Sequence, residues 1–173
     1  TTMAKLEKQA RALGATTQFS AKQAADAMGF MAQAGFEADE IYSALPGTLR
    51  LAASAQLDMG RAADIVTNIM SGFRLESDQL DAAVDILTKT FITSNTDLVQ
   101  LSEAMKLAGP LAAGLGVSIE ETAAAMGILG NSGIQASLAG TTLRNVFIRL
   151  ADPAKETATL LNELGLNAFD AEG

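Results

Sequence analysis

The stretch GILGNSGIQASLAGTTLRNVFIRL, Gly127–Leu150, decides the fold. Glycines stand three residues apart at Gly127, Gly130 and Gly133, and no charged residue occurs from Thr122 to Leu143. Three readings compete: a phosphate-cradling loop, a membrane span, or two helices meeting at a glycine turn. A P-loop needs G-x-x-x-x-G-K-[ST] and a dinucleotide turn needs G-x-G-x-x-G, each after a strand. GILGNSG matches neither and follows a helical pattern, while GLGVSI at Gly114 lacks the third glycine. Thr122–Leu143 is long enough to span a bilayer. However, Asn131, Ser132, Gln135, Ser137, Thr141 and Thr142 interrupt it, with Gly130 and Gly133 where a spanning helix is driest. The helical reading remains. Gly127 and Gly130 thin one helix face, Gly133 ends the helix, and Ser137 is placed to cap the next. The missing charge then marks the buried centre of a helical domain.

Working outward, the pattern is helical everywhere, with no sustained period-two alternation. A first helix is expected over Thr2–Leu13, stopped by Gly14. Ser20 caps a second, with Ala24, Ala27, Met28 and Met31 on one face and Gly35 at its end. Asp39 is read as the next cap, and the LPG at Leu45–Gly47 as a kink or break, because proline removes a hydrogen bond and crowds the preceding turn. Asp58 caps a helix ending near Gly72. Ser77 is read as the cap of an amphipathic stretch with Leu80, Val84, Leu87 and Phe91 in one stripe. Thr96 or Asp97 starts the next helix, with Leu98, Leu101, Met105 and Ala108 inward, and AGPLAAGLG is expected to break it. Ser118 with Glu121 is a capping box, S-x-x-E. After the glycine turn, Leu143, Val146, Phe147 and Leu150 mark a further helix. Pro153 suits the first turn of a last one, through Leu160, Leu161 and Leu164 to Gly165.

Two segments align cap to cap: SAKQAADAMGFMAQAGF from Ser20 and SIEETAAAMGILGNSGI from Ser118. DMGRAADIVTNIMSGF from Asp58 is a looser third copy. Internal duplication and the shared grammar of alanine-rich helices both explain them.

The composition of the 173 residues fits. The chain is 49% hydrophobic but 5% aromatic, so alanine, leucine and methionine carry the apolar surface, and these favour helices. The net charge of -8 argues against broad binding to a phosphate backbone. The chain has no cysteine and no histidine, which removes disulfides, thiolate nucleophiles, thiol or imidazole metal sites and the usual proton shuttle. No signal peptide is visible in TTMAKLEKQARALG.

The remaining chemical candidates have structural explanations. Glu120 and Glu121 follow Ser118, where negative charge suits a helix start. Asp78, Asp81 and Asp85 share a face, as solvated helix faces commonly do. Lys5, Lys8 and Arg11 form a basic stripe without aromatic interleaving. No catalytic, cofactor-binding or metal-binding residue is assigned, no cofactor is expected, and the chain is not read as an enzyme.

The order of short motifs resembles the core region of phage tail tape measure proteins. It runs through AGF at Ala34–Phe36, LPG, AADI at Ala62–Ile65, SNTDL at Ser94–Leu98, GNSGIQ at Gly130–Gln135, AGTTLR at Ala139–Arg144 and RLADP at Arg149–Pro153. Each motif is weak alone; their order from about Leu13 to Leu164 is specific. The resemblance implies a virion protein of a tailed phage or prophage, inside the tail tube in the virion and in the host cytoplasm during assembly. Such proteins set tail length and take part in genome delivery. The implied partners are tail tube subunits, the tail tip or baseplate, tail assembly chaperones and further copies of itself, with transient contact with the host membrane. Specific nucleic-acid recognition is not implied.

A ruler is expected to be long continuous helix, yet this segment is punctuated about every 15 to 20 residues, as globular helices are. The expected fold is therefore all-α, a compact bundle of roughly eight to nine helices built from helical hairpins, without a sheet. It is expected to form a single domain over 1–173, a fragment of a longer protein, with 1–14 the end of an upstream helix and 165–173 the start of a downstream linker. A non-viral helical adaptor that binds a protein partner is the competing reading.

Overall fold

The structure, a computed structural model, describes residues 2–165. Nine α-helices and one 3-10 turn succeed one another among them, with no strand. They are α1 (Thr2–Thr16), α2 (Ala21–Gln33), α3 (Ala38–Ala55), α4 (Met59–Phe73), α5 (Leu80–Thr93), α6 (Leu98–Gly114), α7 (Ile119–Asn131), α8 (Ala136–Ala151) and α9 (Lys155–Glu163). The all-α bundle expected from periodicity is the observed fold.

The helices alternate between two layers. α2, α4, α6 and α8 pack in one row, and α1, α3, α5 and α7 in the other. Sequence neighbours such as α6 and α7 join the rows. The most extensive packing joins helices two apart, α6 with α8, so chain-adjacent hairpins are only part of the scaffold. Contacts that track the chain in this way make a quasi-one-dimensional stack. Its core is continuous, through Met31, Leu45, Leu51, Ile65, Leu101 and Met126.

One local device repeats along the stack. α2, α3, α4, α6 and α7 each end on a residue in the left-handed region: Gly35, Gln56, Arg74, Gly116 and Gly133. The amide of the succeeding apolar residue donates back into the last turn: Phe36 to Met31, Leu57 to Ala52, Leu75 to Met70, Val117 to Ala112 and Ile134 to Leu129, at 2.9–3.1 Å. This is the Schellman closure, which satisfies carbonyls the helix end leaves open. One residue further on stands the N-cap position of the next element, at Glu37, Asp58, Glu76, Ser118 or Gln135. One apolar residue thus sits between the end of one helix and the start of the next.

Several boundaries differ from the sequence reading. Gly14 does not stop α1, which runs to Thr16. A Cβ at Gly14 would lie 2.4 Å from the Ala21 nitrogen, so this glycine admits the start of α2. The cap of α3 is Glu37, with the Glu40 carboxylate accepting from its amide at 2.6 Å, and not Asp39. Glu76, and not Ser77, precedes the 3-10 turn Ser77–Gln79 that leads into α5. Gln135, and not Ser137, precedes α8. Pro153 stands before α9 rather than in its first turn. The third copy closes at Arg74 and Leu75 rather than at Gly72 and Phe73.

Neither proline breaks its helix: Pro46 lies inside α3 and Pro110 inside α6. Pro46 has no N–H to give the Tyr42 carbonyl one turn back. Gln9 of α1 supplies that donor, its Nε2 reaching the Tyr42 oxygen at 2.7 Å. Apart from Gly165, the expected linker 165–173 lies outside the described residues.

Candidate functional surfaces

The glycine stretch is two helices. α7 ends at Asn131, Gly133 has φ +79°, and α8 begins at Ala136. No described helix is long and apolar enough to cross a membrane. Gly127 lies beside Ser94, with a built Cβ 3.4 Å from the Ser94 side chain, and Gly130 lies under the Asn95 carbonyl at 3.1 Å. Both glycines therefore admit the α5–α6 connection. Side chains at the end of α7 and the start of α8 clasp the same connection. The Asn95 amide donates to Asn131 Oδ1 at 2.7 Å, and Gln135 Nε2 donates to the Asn95 carbonyl.

The weighed charged residues remain dispersed. Glu121 belongs to the capping box: its carboxylate accepts from the Ser118 amide at 3.1 Å and hydroxyl at 2.9 Å. These bonds, the backbone one first, hold its carboxyl below the usual glutamate range. Glu120 is exposed beside it. Asp78, Asp81 and Asp85 are exposed, and Asp81 pairs with Arg50 of α3 at 2.6 Å. Arg11 pairs with Glu7 one turn away, while Lys5 and Lys8 face solvent. Among the described residues no group of three acidic side chains converges as a metal site.

Sequence reasoning missed one polar centre. Asp64 of α4 accepts from Asn68 Nδ2 at 2.9 Å and lies 3.4 Å from Arg61 and 3.6 Å from Lys106 of α6. The three-residue and four-residue spacings within α4 are legible in the sequence; the α6 lysine is not. Half-exposed pairs of this kind hold a register more than they add stability. The concave features are open grooves. One of about 860 Å3 lies between α1 and α2, lined by Met3, Ala25, Met28 and Gly29 among others. Another of about 420 Å3 lies between α5 and α7, beside Lys89, Glu120 and Asn131.

This geometry belongs to a packing scaffold, and comparison with known proteins says which. A family model described as phage-related minor tail protein matches residues 7–173. The chain belongs to that family. It is 39% identical over 171 residues to the tape measure protein of Pneumococcus phage Dp-1, covering 99% of this chain and 15% of that protein. The identity is also 39% over 171 residues to the probable tape measure protein of Escherichia phage P2, covering 99% of this chain and 21% of that protein. The chain thus spans less than a quarter of either curated relative. No solved structure matches it.

Most of the motifs behind the tape measure resemblance sit where the stack is tightest, while RLADP lies at the exposed end of α8. SNTDL and GNSGIQ interlock through the Asn95 clasp. AADI buries Ala62, Ala63 and Ile65 and carries Asp64. In AGTTLR, a Cβ on Gly140 would lie 2.6 Å from the Ala104 carbonyl oxygen, so glycine sets the α6–α8 distance. AGF forms the first Schellman closure.

Proposed function

We propose that this chain is a folded helical segment of a phage tail tape measure protein, carried by the ruler rather than serving as ruler material. The observation that carries the reading is 39% identity over nearly the whole chain to two tape measure proteins. The folded form supports the second half of the proposal. The longest described helix, α3, has 18 residues and rises about 27 Å, whereas 173 residues of unbroken helix rise about 260 Å. The parent protein sets tail length in the virion and takes part in genome delivery. Its partners are tail tube subunits, the tail tip or baseplate, assembly chaperones and other copies of itself. The segment contributes packing surfaces, and none of its side chains is given a catalytic, cofactor or metal role.

The test is an in-frame deletion of the segment from the full-length parent, with tail length read by electron microscopy. Tails that keep nearly their length but fail in assembly or infection are the expected result. Shortening that approaches 260 Å overturns the folded-segment reading in favour of linear ruler material. Normal tails with normal infection overturn the functional assignment itself.

A further inference from the structure

A stack of helices buries its apolar faces only where a next helix covers them, so its ends need polar outer faces or a further rung. The end formed by α7 and α8 carries an apolar ridge beside its polar residues, and no described helix packs extensively over that ridge. Among the described residues, four of the twelve large apolar side chains left exposed lie on α8: Leu138, Val146, Ile148 and Leu150. On α8, Ala139, Gly140, Leu143 and Phe147 are buried, while Leu138, Thr142, Val146 and Leu150 recur every four residues as a second ridge. Leu138, Val146 and Leu150 are exposed on that ridge. On α7, Ala125 and Leu129 are half-buried.

α9 is the complementary piece. Leu160, Leu161 and Leu164 gather on one face, with Lys155, Thr159, Asn162 and Glu163 on the other. It buries no residue and forms no extensive helix pair among the described residues. Leu160 and Leu164 are 55% and 62% exposed. Asp152, Pro153 and Ala154 connect it to α8. Pro153 cannot donate a helical hydrogen bond, so this connection is a natural hinge. By the alternation of the layers, the helix after α8 belongs beside α7, in contact with α8. So short a tether also gives α9 a far higher local concentration at that slot than a second copy can supply.

We propose that the open α7–α8 end is the docking site for the chain's own α9, which closes over it as the next rung. Nine residues of helix rise about 14 Å against about 24 Å for the sixteen of α8. Running back along α8, α9 covers the carboxyl half of the ridge, Val146 and Leu150, and leaves Leu138 open. This docking is independent of the tail assignment.

The chain has no cysteine, so an introduced pair is the only disulfide that can form. The experiment compares V146C/L161C with L138C/L161C in the full chain, under mild oxidation and at micromolar protein. All three positions lie outside the buried core, so the variants should fold, and helical circular dichroism checks that they do. The expected result is an intramolecular disulfide in V146C/L161C that forms more than about tenfold faster than in L138C/L161C, the advantage of a docked tether over a loose one. Adding L160D and L164D should abolish that advantage. Equal rates for the two pairs overturn the proposal, as does a predominantly dimeric disulfide, which would assign α9 to a second copy.

Discussion

α2 opens on Ser20 with Gln23 reaching back to it and closes on Gly35 and Phe36; α7 opens on Ser118 with Glu121 in the same role and closes on Gly133 and Ile134. Cap for cap the two helices match. Their places differ. α2 belongs to the row of α4, α6 and α8, and α7 to the row of α3 and α5. The step from α2 to α7 is five helices and changes the layer. The shared caps are local grammar for starting and stopping a helix, carried in two different layers. Matched residues consequently meet unmatched surroundings, and substitutions made in pairs expose the difference.

The largest expected effect comes from Met31 and Leu129, which occupy the same position before the turn. Met31 is fully buried between layers, while Leu129 is half-buried at the open end. Met31→Ala should cost about 3 kcal/mol and Leu129→Ala about 1 kcal/mol, since the loss scales with the contacts removed and the cavity left. Urea midpoints of the two variants measure this directly. Equal losses would break the comparison, because Leu129 would then have to be covered as fully as Met31. A Leu129 loss that shrinks further when α9 is deleted would sharpen it, and would tie the open end to its proposed rung.

Glycines that are not matched, Gly29 and the Gly130 that stands where α2 has Ala32, give a smaller contrast with opposite signs. Gly29 in α2 has nothing within 4 Å of where a Cβ would stand, whereas at Gly130 in α7 that atom would lie 3.1 Å from the Asn95 carbonyl oxygen. Gly29→Ala should stabilise by about 0.5–1 kcal/mol by restricting the unfolded chain. Gly130→Ala should destabilise by about 1 kcal/mol, because the clasped loop has to give way. Thermal unfolding of the two variants should shift in opposite directions. A shared direction would mean that the Asn95 loop yields freely.

Legibility in the sequence tracks the reach of the interactions. Ser20, Asp58, Asp97 and Ser118 are legible as caps because an oxygen three residues before an amide is enough. Gly35 and Gly133 are legible as stops for a similar reason. Glu37, Glu76 and Gln135 escape because their residue types are poor caps alone, and at Glu37 and Glu76 the reach-back from Glu40 or Gln79 completes the start. Pro46 misleads because its rescue comes from Gln9, on another helix. Gly14 misleads because a glycine needed for the close approach of another helix looks the same in sequence as one that ends its own. For the candidate surfaces, the motifs are visible one by one. That Asn95, Asn131 and Gln135 meet depends on the order of the layers, which no local pattern carries.

The smallest expected effect separates the two capping boxes by pH. Gln23 does not titrate, while the Glu121 carboxyl is held below its ordinary value by the bonds from Ser118. A carboxyl whose folded value is depressed stabilises above the unfolded value, here 4.5, and that contribution is lost as pH falls through the folded value. Amide exchange at the start of α7 should therefore accelerate below about pH 4.5, relative to the start of α2, as protonation removes the acceptor. Glu121→Gln should give α7 the pH-independent start of α2, because the amide oxygen still reaches the Ser118 N–H. If the Glu121→Gln start still loosened in acid, the capping box would not be the source of the sensitivity, and the contrast between the two helix starts would fail.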